Sequence, residues 1–347
     1  MPSLHQARLR HALHYLDFLR KAEASFARGQ ESFQAVKILI ENLSNIEAAI
    51  HWGEENSSDP EVAEICSAFP KAGALLFSHI YPARMRLRMA EQARAAAALS
   101  GDRQAECWHV GNLGVARMQL NQPEAAYACF EDALNISYEI GDKRSESRCI
   151  GNLGLLKSRR GDYTAAVALF EQALSLSSAL GDWRHTAQVL GYLTAVYEAL
   201  GDHECALSSA HVSLTIARQL DYPASETAAL NNLSLILGDY GQWEEATDEV
   251  CASLKIARRL HDRHTEAIAL NSMGIIFLNS SHEIHRAEDC FELALCVNRE
   301  MEDSEGVAYA LLNLSIVAER SGDTERARSL RGDALALAEQ IAVRLNA

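Results

Sequence analysis

Alanine recurs along this chain at a nearly constant interval, and that recurrence limits the possible folds more than any other feature. The intervals between six alanines are 40, 40, 40, 41 and 40 residues. These alanines are Ala126, Ala166, Ala206, Ala246, Ala287 and Ala327. A fixed period of about 20 to 50 residues is typical of a solenoid, in which one supersecondary unit is stacked repeatedly. The period therefore predicts a ligand surface in the form of a groove rather than a closed pocket.

Two further columns share this period. A leucine recurs in the first half of most units with a small residue directly after it, as Leu153 is followed by Gly154. Near the end of each unit a small residue precedes a leucine, as Ala173 precedes Leu174. Small residues let two helices approach closely, while leucines fill the space around the contact. We therefore expect each unit to be a pair of packed helices.

Turn-forming residues divide each unit in two. Residues that tolerate a left-handed backbone stand at the middle or the end of the units: Asn121, Gly141, Gly161, Gly181, Gly201, Gly241 and Gly322. Such a residue commonly ends a helix. Asp142 and Asp182 each follow one of these glycines and are predicted N-caps of the next helix. Each unit is therefore predicted to be helix, tight turn, helix and short link.

The composition agrees with an entirely helical chain. The protein has 347 residues, of which 48% are hydrophobic and 23% are charged, with only 6 prolines. Long β-branched or alternating runs, which are typical of strands, are missing from the sequence. We predict an all-α fold.

Net charge weighs against nucleic acid as a general partner. The 32 basic and 47 acidic side chains give a formal charge of −15, and a negative field repels phosphate backbones. One stretch is a candidate basic patch, formed by Arg84, Arg86, Arg88 and Arg94. Its pattern fits a solvated helix face as well as a charged docking site.

Cysteine usage and hydropathy indicate the compartment. Eight cysteines occur without a CxxC pair, in a chain far too long for a disulfide-stapled miniprotein. This pattern favours the reducing cytoplasm. The sequence holds no signal-peptide core and no run of about 18 apolar residues, so we expect no membrane span.

Three histidine pairs have the spacing of metal ligands. Histidines three residues apart occur as His11 with His14, His261 with His264, and His282 with His285. That spacing suits metal ligation on one helix face, but no pair has a third ligand nearby in the sequence. The motifs GxSxG and HExxH are missing as well. We predict no metal site, no cofactor and no catalytic site.

Specific letters recur within the clearest unit, residues 141–180. This unit holds NLG at Asn152–Gly154, GDY at Gly161–Tyr163, and then Phe170. The pattern resembles the tetratricopeptide repeat, in the form of about 40 residues found in bacteria. The resemblance covers residues 101 to about 340. It implies a right-handed α-solenoid of antiparallel helix pairs.

The phenylalanine column is broken in some units. Phenylalanine stands at this position in three units, whereas Ala210, Val250 and Arg331 stand there in the others. These departures leave the local packing of those units open, although they keep the period.

The period divides the chain into a leading region and six units. The predicted boundaries are 1–82 for an N-terminal helical region, 83–100 for the second helix of a degenerate leading repeat, and 101–140, 141–180, 181–220, 221–260, 261–301 and 302–347 for the units. In the leading region we expect helices over 4–27, 31–55 and about 61–79, the last with a kink or break at Pro70.

The leading region carries a second, more diffuse resemblance. The segments HALHYLDFLRKAEASF and LIENLSNIEAAIHWGEEN resemble the helical connector between the NTPase core and the repeats of bacterial NB-ARC and related STAND signalling proteins. In those proteins the repeats are a sensor that releases or restrains an ATPase. This sequence holds no GxxxxGK[ST] motif. The resemblance therefore implies either a sensor without its own nucleotide switch or the sensor portion of a larger protein.

The resemblance to the repeat family also implies a binding face. In tetratricopeptide repeat proteins the first helix of each unit lines the concave face, where a ladder of polar side chains holds an extended peptide. The matching column here is Asn112, Asn152, Tyr192, Asn232, Ser272 and Asn313, and a neighbouring column adds Asn231 and Asn271. An asparagine side chain offers the donor and the acceptor that a peptide group needs. The alternative is that these amides bond only to neighbouring helices.

Other side chains are expected on the same face: Trp108, Met118, Arg148, Arg159 and Tyr309. Such a mixture of apolar groups and a few charges is typical of a protein-binding patch. Arg148 and Arg159 could bind a carboxylate by forked hydrogen bonds. They could equally be solvated or paired within the array.

The sequence thus predicts a non-enzymatic cytoplasmic protein that binds an extended peptide or a partner helix in its concave groove. The alternative is a STAND-like regulatory sensor, whose repeats bind a peptide or small-molecule signal and control an effector. The expected partner is a protein or peptide, rather than nucleic acid or a membrane. The last helix, with Leu335 and Ile341, has no obvious polar helix after it and is a candidate surface for a homo-oligomer.

Overall fold

Helices make up all the regular secondary structure in the part of the chain that the structure describes. The computed structural model describes residues 3–27, 32–260, 262–280, 283–301 and 303–346. The helices are α1 (Leu4–Ala27), α2 (Ser32–Glu55), α3 (Pro60–Ala72), α4 (Ala74–Ile80), α5 (Ala83–Ser100), α6 (Arg103–Gln119), α7 (Pro123–Ile140), α8 (Lys143–Arg159), α9 (Tyr163–Ala179), α10 (Trp183–Leu200), α11 (His203–Gln219), α12 (Pro223–Asp239), α13 (Trp243–Leu260), α14 (Arg263–Asn279), α15 (Ile284–Glu300), α16 (Ser304–Arg320) and α17 (Thr324–Asn346). The predicted all-α fold is confirmed. Among these residues, no helix has both the length and the apolar character needed to cross a membrane.

The chain forms two compact units, which we call the N-terminal unit (Met1–Val189) and the C-terminal unit (Leu190–Ala347). In the N-terminal unit α6 packs on α7 and α8 packs on α9, while α5 and α7 each pack on the helix that follows. In the C-terminal unit α12, α14 and α16 pack on α13, α15 and α17 in the same way. Within each unit the predicted solenoid of antiparallel helix pairs is confirmed.

The first four helices form a small bundle inside the N-terminal unit. Helix α1 packs on α2, α3 and α4, around a core that includes Leu19, Ile46 and Phe69. The carboxylate of Glu23 accepts the backbone N–H groups of Leu75 and Leu76 at 2.7 and 3.1 Å. These are two of the donors that a helix start leaves without an intrahelical partner. A side chain of α1 therefore fixes where α4 begins.

Of the kink or break predicted at Pro70, the break is wrong by three residues. Helix α3 runs through Pro70, and the chain breaks at Gly73, between α3 and α4. A Cβ at residue 73 would lie 2.9 Å from the Leu19 Cδ1 atom and 3.0 Å from the Phe77 ring. Glycine fits between these two groups without displacing them, and its low helix propensity favours an interruption at this residue.

The turns follow the predicted chemistry. All the residues predicted to be left-handed have positive φ angles, including Asn121 at 53°. Asp221 also has a positive φ, 47°, although the sequence pattern did not mark it. It occupies the position that glycine holds in two earlier units, and a short polar side chain tolerates this conformation. The predicted N-cap at Asp142 is confirmed, because its Oδ1 accepts the N–H of Arg144 at 3.0 Å.

In each helix pair, the small residue that follows the recurring leucine (first column) packs against the residue of the phenylalanine column (second column). The sizes of these two residues match, and this match sets the spacing of the two helices. A Cβ built at the glycine would lie 2.4, 2.9 and 2.5 Å from the ring in the pairs Gly114–Phe130, Gly154–Phe170 and Gly274–Phe291. Where the first column holds Thr194 or Ser234, the second holds the smaller Ala210 or Val250, and all four are buried. The broken phenylalanine column is thus compensated within the same unit.

In the sixth unit the first column again holds a small residue, Ser315, but the second column holds Arg331, which does not pack against it. Ser315 is buried, whereas Arg331 is exposed and its Nη2 lies 2.8 Å from Glu319 Oε2. An arginine at this position is accommodated because its guanidinium extends to the surface and pairs there.

A glutamate near the start of α14 forms ion pairs with two arginines. Glu266 is buried, and its carboxylate lies 2.8 Å from Arg258 Nε and 2.6 Å from Arg263 Nη1. Arg263 also pairs with Glu300. Burial opposes the ionisation of Glu266, but the two guanidinium groups outweigh it and lower the pKa of this carboxyl. Successive helix pairs of the C-terminal unit are thus joined by charge as well as by packing.

His109 is an ionisable group without a charged partner inside the N-terminal unit. The residue is 1% exposed, and its Nε2 lies 2.9 Å from the Ser67 hydroxyl of α3. Burial lowers the pKa of this imidazole to about 4, against the weaker opposing effect of the bond to Ser67. The folded protein therefore holds His109 in its neutral form.

Two glycines of α6 form a matched test of the size match. Gly114→Ala pushes a methyl group into the Phe130 ring, so we expect a loss of about 1–3 kcal/mol in the free energy of unfolding. A Cβ at residue 111, in the same helix, meets no atom within 4 Å. Gly111→Ala is therefore expected to raise the free energy of unfolding by about 0.5–1 kcal/mol. Urea unfolding followed by circular dichroism measures both. Equal effects of the two substitutions would show that the contact does not limit the packing. Adding Phe130→Val to Gly114→Ala should restore stability, because it recreates the small pair of the fourth unit.

The N-terminal unit should lose stability in mild acid. The pKa of His109 is lower in the folded than in the unfolded chain, so its contribution is complete above about pH 6.5 and declines as the pH falls towards 4. Between pH 7 and pH 5 we expect His109 alone to account for a loss of about 2 kcal/mol. His109→Gln should reduce the fall in the temperature of unfolding between pH 7 and pH 5. His14→Gln, at an exposed site on α1, should leave that fall unchanged. An identical decline in all three proteins would contradict the assignment to His109.

Candidate functional site

The predicted binding residues lie on the first helices of the helix pairs, in two sets. The N-terminal face consists of Trp108, Asn112 and Met118 on α6 and Arg148, Asn152 and Arg159 on α8. The C-terminal face consists of Tyr192 on α10, Asn231 and Asn232 on α12, Asn271 and Ser272 on α14, and Tyr309 and Asn313 on α16. Helix α6 contacts α8, and α14 contacts both α12 and α16. The fold therefore places these residues, other than Tyr192 of α10, on first helices that contact one another.

The two asparagines of the N-terminal face differ in how they are bonded. Asn112 Nδ2 donates to the Trp108 carbonyl at 2.8 Å, one turn earlier in its own helix. Asn152 is half-buried, and no other described residue bonds to its side chain. The Trp108 ring is also half-buried and meets the His109 ring edge-on at 5.1 Å between centroids. Asn152 therefore keeps both a donor and an acceptor, whereas Asn112 keeps its acceptor.

Both predicted arginines are engaged within the array. Arg148 Nη2 lies 3.6 Å from Asp182 Oδ2, and the guanidinium of Arg159 donates to the Met118 carbonyl at 3.5 Å. Met118 itself packs in the core with Phe130. The C-terminal unit repeats the second contact, because Arg320 donates to the Leu278 carbonyl. These guanidinium groups join one helix pair to the next, and both predicted arginines are exposed at the surface.

The amides of the C-terminal face lie deeper. Asn313 Nδ2 donates to Asn271 Oδ1 at 3.4 Å, so these two side chains link α16 to α14. Asn231 is 8% exposed, and its Oδ1 accepts no hydrogen bond within the described ranges. Asn232 is half-buried, without a bond to any other described side chain or backbone group. Ser272 is buried and Tyr192 is half-buried.

Part of the apolar surface beside these amides was not predicted from the sequence. Leu312 and Ile316 are 40% and 38% exposed on α16, close to the exposed Tyr309. On the same helix Leu311 and Leu314 are buried. The signal was present in the sequence, because α16 has more apolar residues than one buried stripe requires. The prediction rested mainly on the asparagine columns and did not name Leu312 or Ile316.

The cysteines are free thiols, and the buried ones are unreactive. All eight cysteines are unpaired. Burial raises the pKa of Cys66 and of Cys149 to about 12 and that of Cys290 to about 11, so these groups stay protonated at neutral pH. Within the described ranges, no group of three or more histidine, cysteine or acidic side chains has an arrangement that could hold a metal ion. His261 and His282, from two of the histidine pairs, lie outside those ranges.

Comparison with protein families identifies part of the repeat region. The tetratricopeptide repeat family model matches residues 104–179 and 146–219. These ranges include the unit in which the sequence pattern is clearest. No curated protein matches the chain.

Solved structures resemble the chain over most of its length. A Rap conjugation gene regulator of the plasmid pLS20, in complex with the Phr* peptide, matches with a TM-score of 0.67 and 17% identity, over 97% of this chain and 96% of that one. A Rap protein complexed with Competence and Sporulation Factor has a TM-score of 0.67 and 11% identity, over 96% and 99%. A STAND protein with a tetratricopeptide repeat sensor from Pyrococcus horikoshii has a TM-score of 0.57 and 14% identity, over 98% of this chain. The present chain spans 54% of that STAND protein.

At such low identity these likenesses bear on the fold alone. The STAND-type connector and the bacterial form of the repeat, both suggested by the sequence, stay predictions. The helix pairs, the compensated columns and the family match agree for one part of the chain: residues 104–219 match the tetratricopeptide repeat family.

Proposed function

We propose that this protein is a non-enzymatic recognition protein that binds an extended peptide on the first helices of its repeats. Asn152 and Asn232 carry the proposal. They hold equivalent positions in two repeats, both are half-buried, and neither side chain is bonded to another described residue. An amide in this state can donate to and accept from one peptide group of a ligand. Each such amide would hold a peptide backbone whatever the side chains of the ligand are.

The structural neighbours support the same class of function. One Rap structure contains the Phr* peptide and the other contains Competence and Sporulation Factor. Both share the fold of this chain over nearly its whole length. These neighbours support a role in recognition or regulation. That the ligand of this chain is a peptide is our proposal.

A regulatory sensor is the second candidate. It is favoured by the likeness to the STAND protein with a tetratricopeptide repeat sensor, which extends over 98% of this chain. In this version the repeats bind a peptide or small-molecule signal, and the leading helices transmit the change to an effector. Repeat arrays deform readily because each repeat contacts only its neighbours.

Other parts of the proposal rest on residue chemistry. A cytoplasmic protein is in keeping with eight free thiols, of which three are exposed. Self-association through the last helix is supported by Leu335, which is 59% exposed on α17. We assign no cofactor, and we assign neither nucleic acid nor a membrane as a partner.

The peptide-binding function is tested with a phage-displayed library of random linear heptapeptides, selected on the immobilised full chain. Selected peptides are synthesised, and their affinity is measured by fluorescence anisotropy. We expect each selected peptide to bind about fivefold more weakly to one of the two single variants, Asn152→Ala or Asn232→Ala, because a hydrogen bond to the peptide backbone is lost.

Asn135→Ala is the matched control, because Asn135 is exposed on α7, a second helix of its pair. It should leave the affinity unchanged. Circular dichroism establishes that each variant is folded. Full affinity of every selected peptide for both single variants would exclude the proposed backbone contacts.

The sensor version predicts a change of shape. Small-angle X-ray scattering of the full chain, with and without a selected peptide at saturation, should give different radii of gyration if the ligand tightens the repeats. Identical scattering profiles would favour a recognition protein that does not act as a conformational sensor.

A further inference from the structure

Exposed apolar side chains are concentrated on two neighbouring helices of the C-terminal unit. Ile268 lies on α14, and Tyr309, Leu312 and Ile316 lie on α16 at spacings of three and four residues. That spacing places the three residues of α16 on one side of the helix. Ile268 holds the position in its repeat that Tyr309 holds in the next, and α14 contacts α16. We call these four residues the apolar strip.

One member of the strip stands in the same column as two buried amides. Leu312 holds the position in its repeat that Asn271 and Asn231 hold in the two repeats before it. Asn271 Oδ1 is engaged by Asn313, whereas Asn231 Oδ1 is buried and accepts no bond within the described residues. A buried acceptor without a donor destabilises a protein by about 1–3 kcal/mol. A ligand N–H that reached this oxygen would recover that free energy.

Charge is distributed unequally between the two units. Residues 190–347 hold 25 acidic and 12 basic side chains, a formal charge of −13, whereas residues 1–189 hold 22 acidic and 20 basic side chains, a formal charge of −2. The unit that carries the apolar strip therefore carries nearly all of the negative charge. Such a field attracts cationic ligands and repels anionic ones.

The charged side chains at the two ends of the strip also favour a cationic ligand. Glu305 lies one turn before Tyr309 on α16, is exposed, and forms no ion pair with another described residue. At the other end of α16, the Arg320 guanidinium is already bonded to the Leu278 carbonyl and to Asn279 Oδ1. The cation of α16 nearest the strip is thus engaged within the protein, while the carboxylate is available.

We infer that the apolar strip of the C-terminal unit binds an extended peptide with apolar side chains and a net positive charge. The apolar side chains lie on Ile268, Tyr309, Leu312 and Ile316, and a backbone N–H of the peptide donates to Asn231. An extended segment is preferred to a partner helix because a helix has already used its interior N–H groups. The inference rests on the proposed peptide-binding function and specifies the class of peptide and the unit that selects it.

The first test uses the sequences selected from the heptapeptide library. We expect them to be enriched in lysine or arginine and in apolar residues, relative to the unselected library. Replacing the basic residues of a selected peptide by glutamate should weaken its binding at least tenfold. Raising NaCl from about 50 to about 300 mM should weaken the unmodified peptide several-fold, because salt screens the attraction.

Matched surface variants locate the site. Tyr309→Ala and Leu312→Ser should each reduce the affinity at least fivefold. Tyr138→Ala, which removes a tyrosine that is 52% exposed on α7, and Leu293→Ser, which removes a leucine that is 51% exposed on α15, should not change it. All four residues are exposed, so the variants are expected to fold.

Asn231→Ala separates a binding role from a structural one. It removes an unsatisfied buried oxygen, so the temperature of unfolding should stay the same or rise, while peptide affinity falls at least fivefold. A lower unfolding temperature with unchanged affinity would mean that Asn231 is structural, and would overturn its place in the inference.

The outcomes distinguish the inference from the function on which it rests. Selected peptides that are acidic, or that need Asn152 and Trp108 but not Tyr309 and Leu312, would overturn the inference and leave peptide binding standing. If no selected peptide is weakened by a variant of either face, the proposed function fails as well.

Discussion

The repeats depend on how closely the two helices of a pair approach each other. In three pairs that approach is so close that a single added carbon at the glycine would overlap a phenylalanine ring. The ring fills the space that the missing side chain leaves, and each buried ring contributes about 2–3 kcal/mol by removal from water. Because the contact fixes the separation of the helices, it also fixes how the first helices present their outer residues. The arrangement of the two proposed binding faces therefore depends on this contact within each helix pair.

The sequence was sufficient to predict the helix pairs, because three signals with one period coincided. The small residues that follow the recurring leucine located the tight contacts, the left-handed residues located the turns, and Asp142 located a helix start. Gly73 was missed because its requirement comes from Leu19 on another helix, far away in the sequence. Local propensity favoured Pro70 as the breaking point, and a tertiary contact decided otherwise. Such contacts have no signature in the chain until the fold is known.

The binding face was harder to predict than the fold, for a related reason. Side-chain type indicates what a group could bond to, whereas its partner depends on distance. Arg148 and Arg159 had the right chemistry for a ligand carboxylate, yet both are engaged within the protein. Asn112 and Asn152 stand in one column, but only Asn112 donates to its own helix. Leu312 stands where Asn231 and Asn271 stand in the two repeats before it, so the column indicated an amide and not an exposed leucine at this position. Such variable positions are where a repeat protein can acquire a preference for one ligand.

The compensated columns also bear on how such a chain can grow. The two members of a Gly–Phe pair lie in one repeat, as Gly114 and Phe130 do, so a duplicated stretch of gene carries the fitted pair complete. The bond from Arg320 to the Leu278 carbonyl instead spans two repeats, but its acceptor is a backbone group, which every copy supplies. A copy that keeps its arginine can therefore form this bond with whichever repeat precedes it.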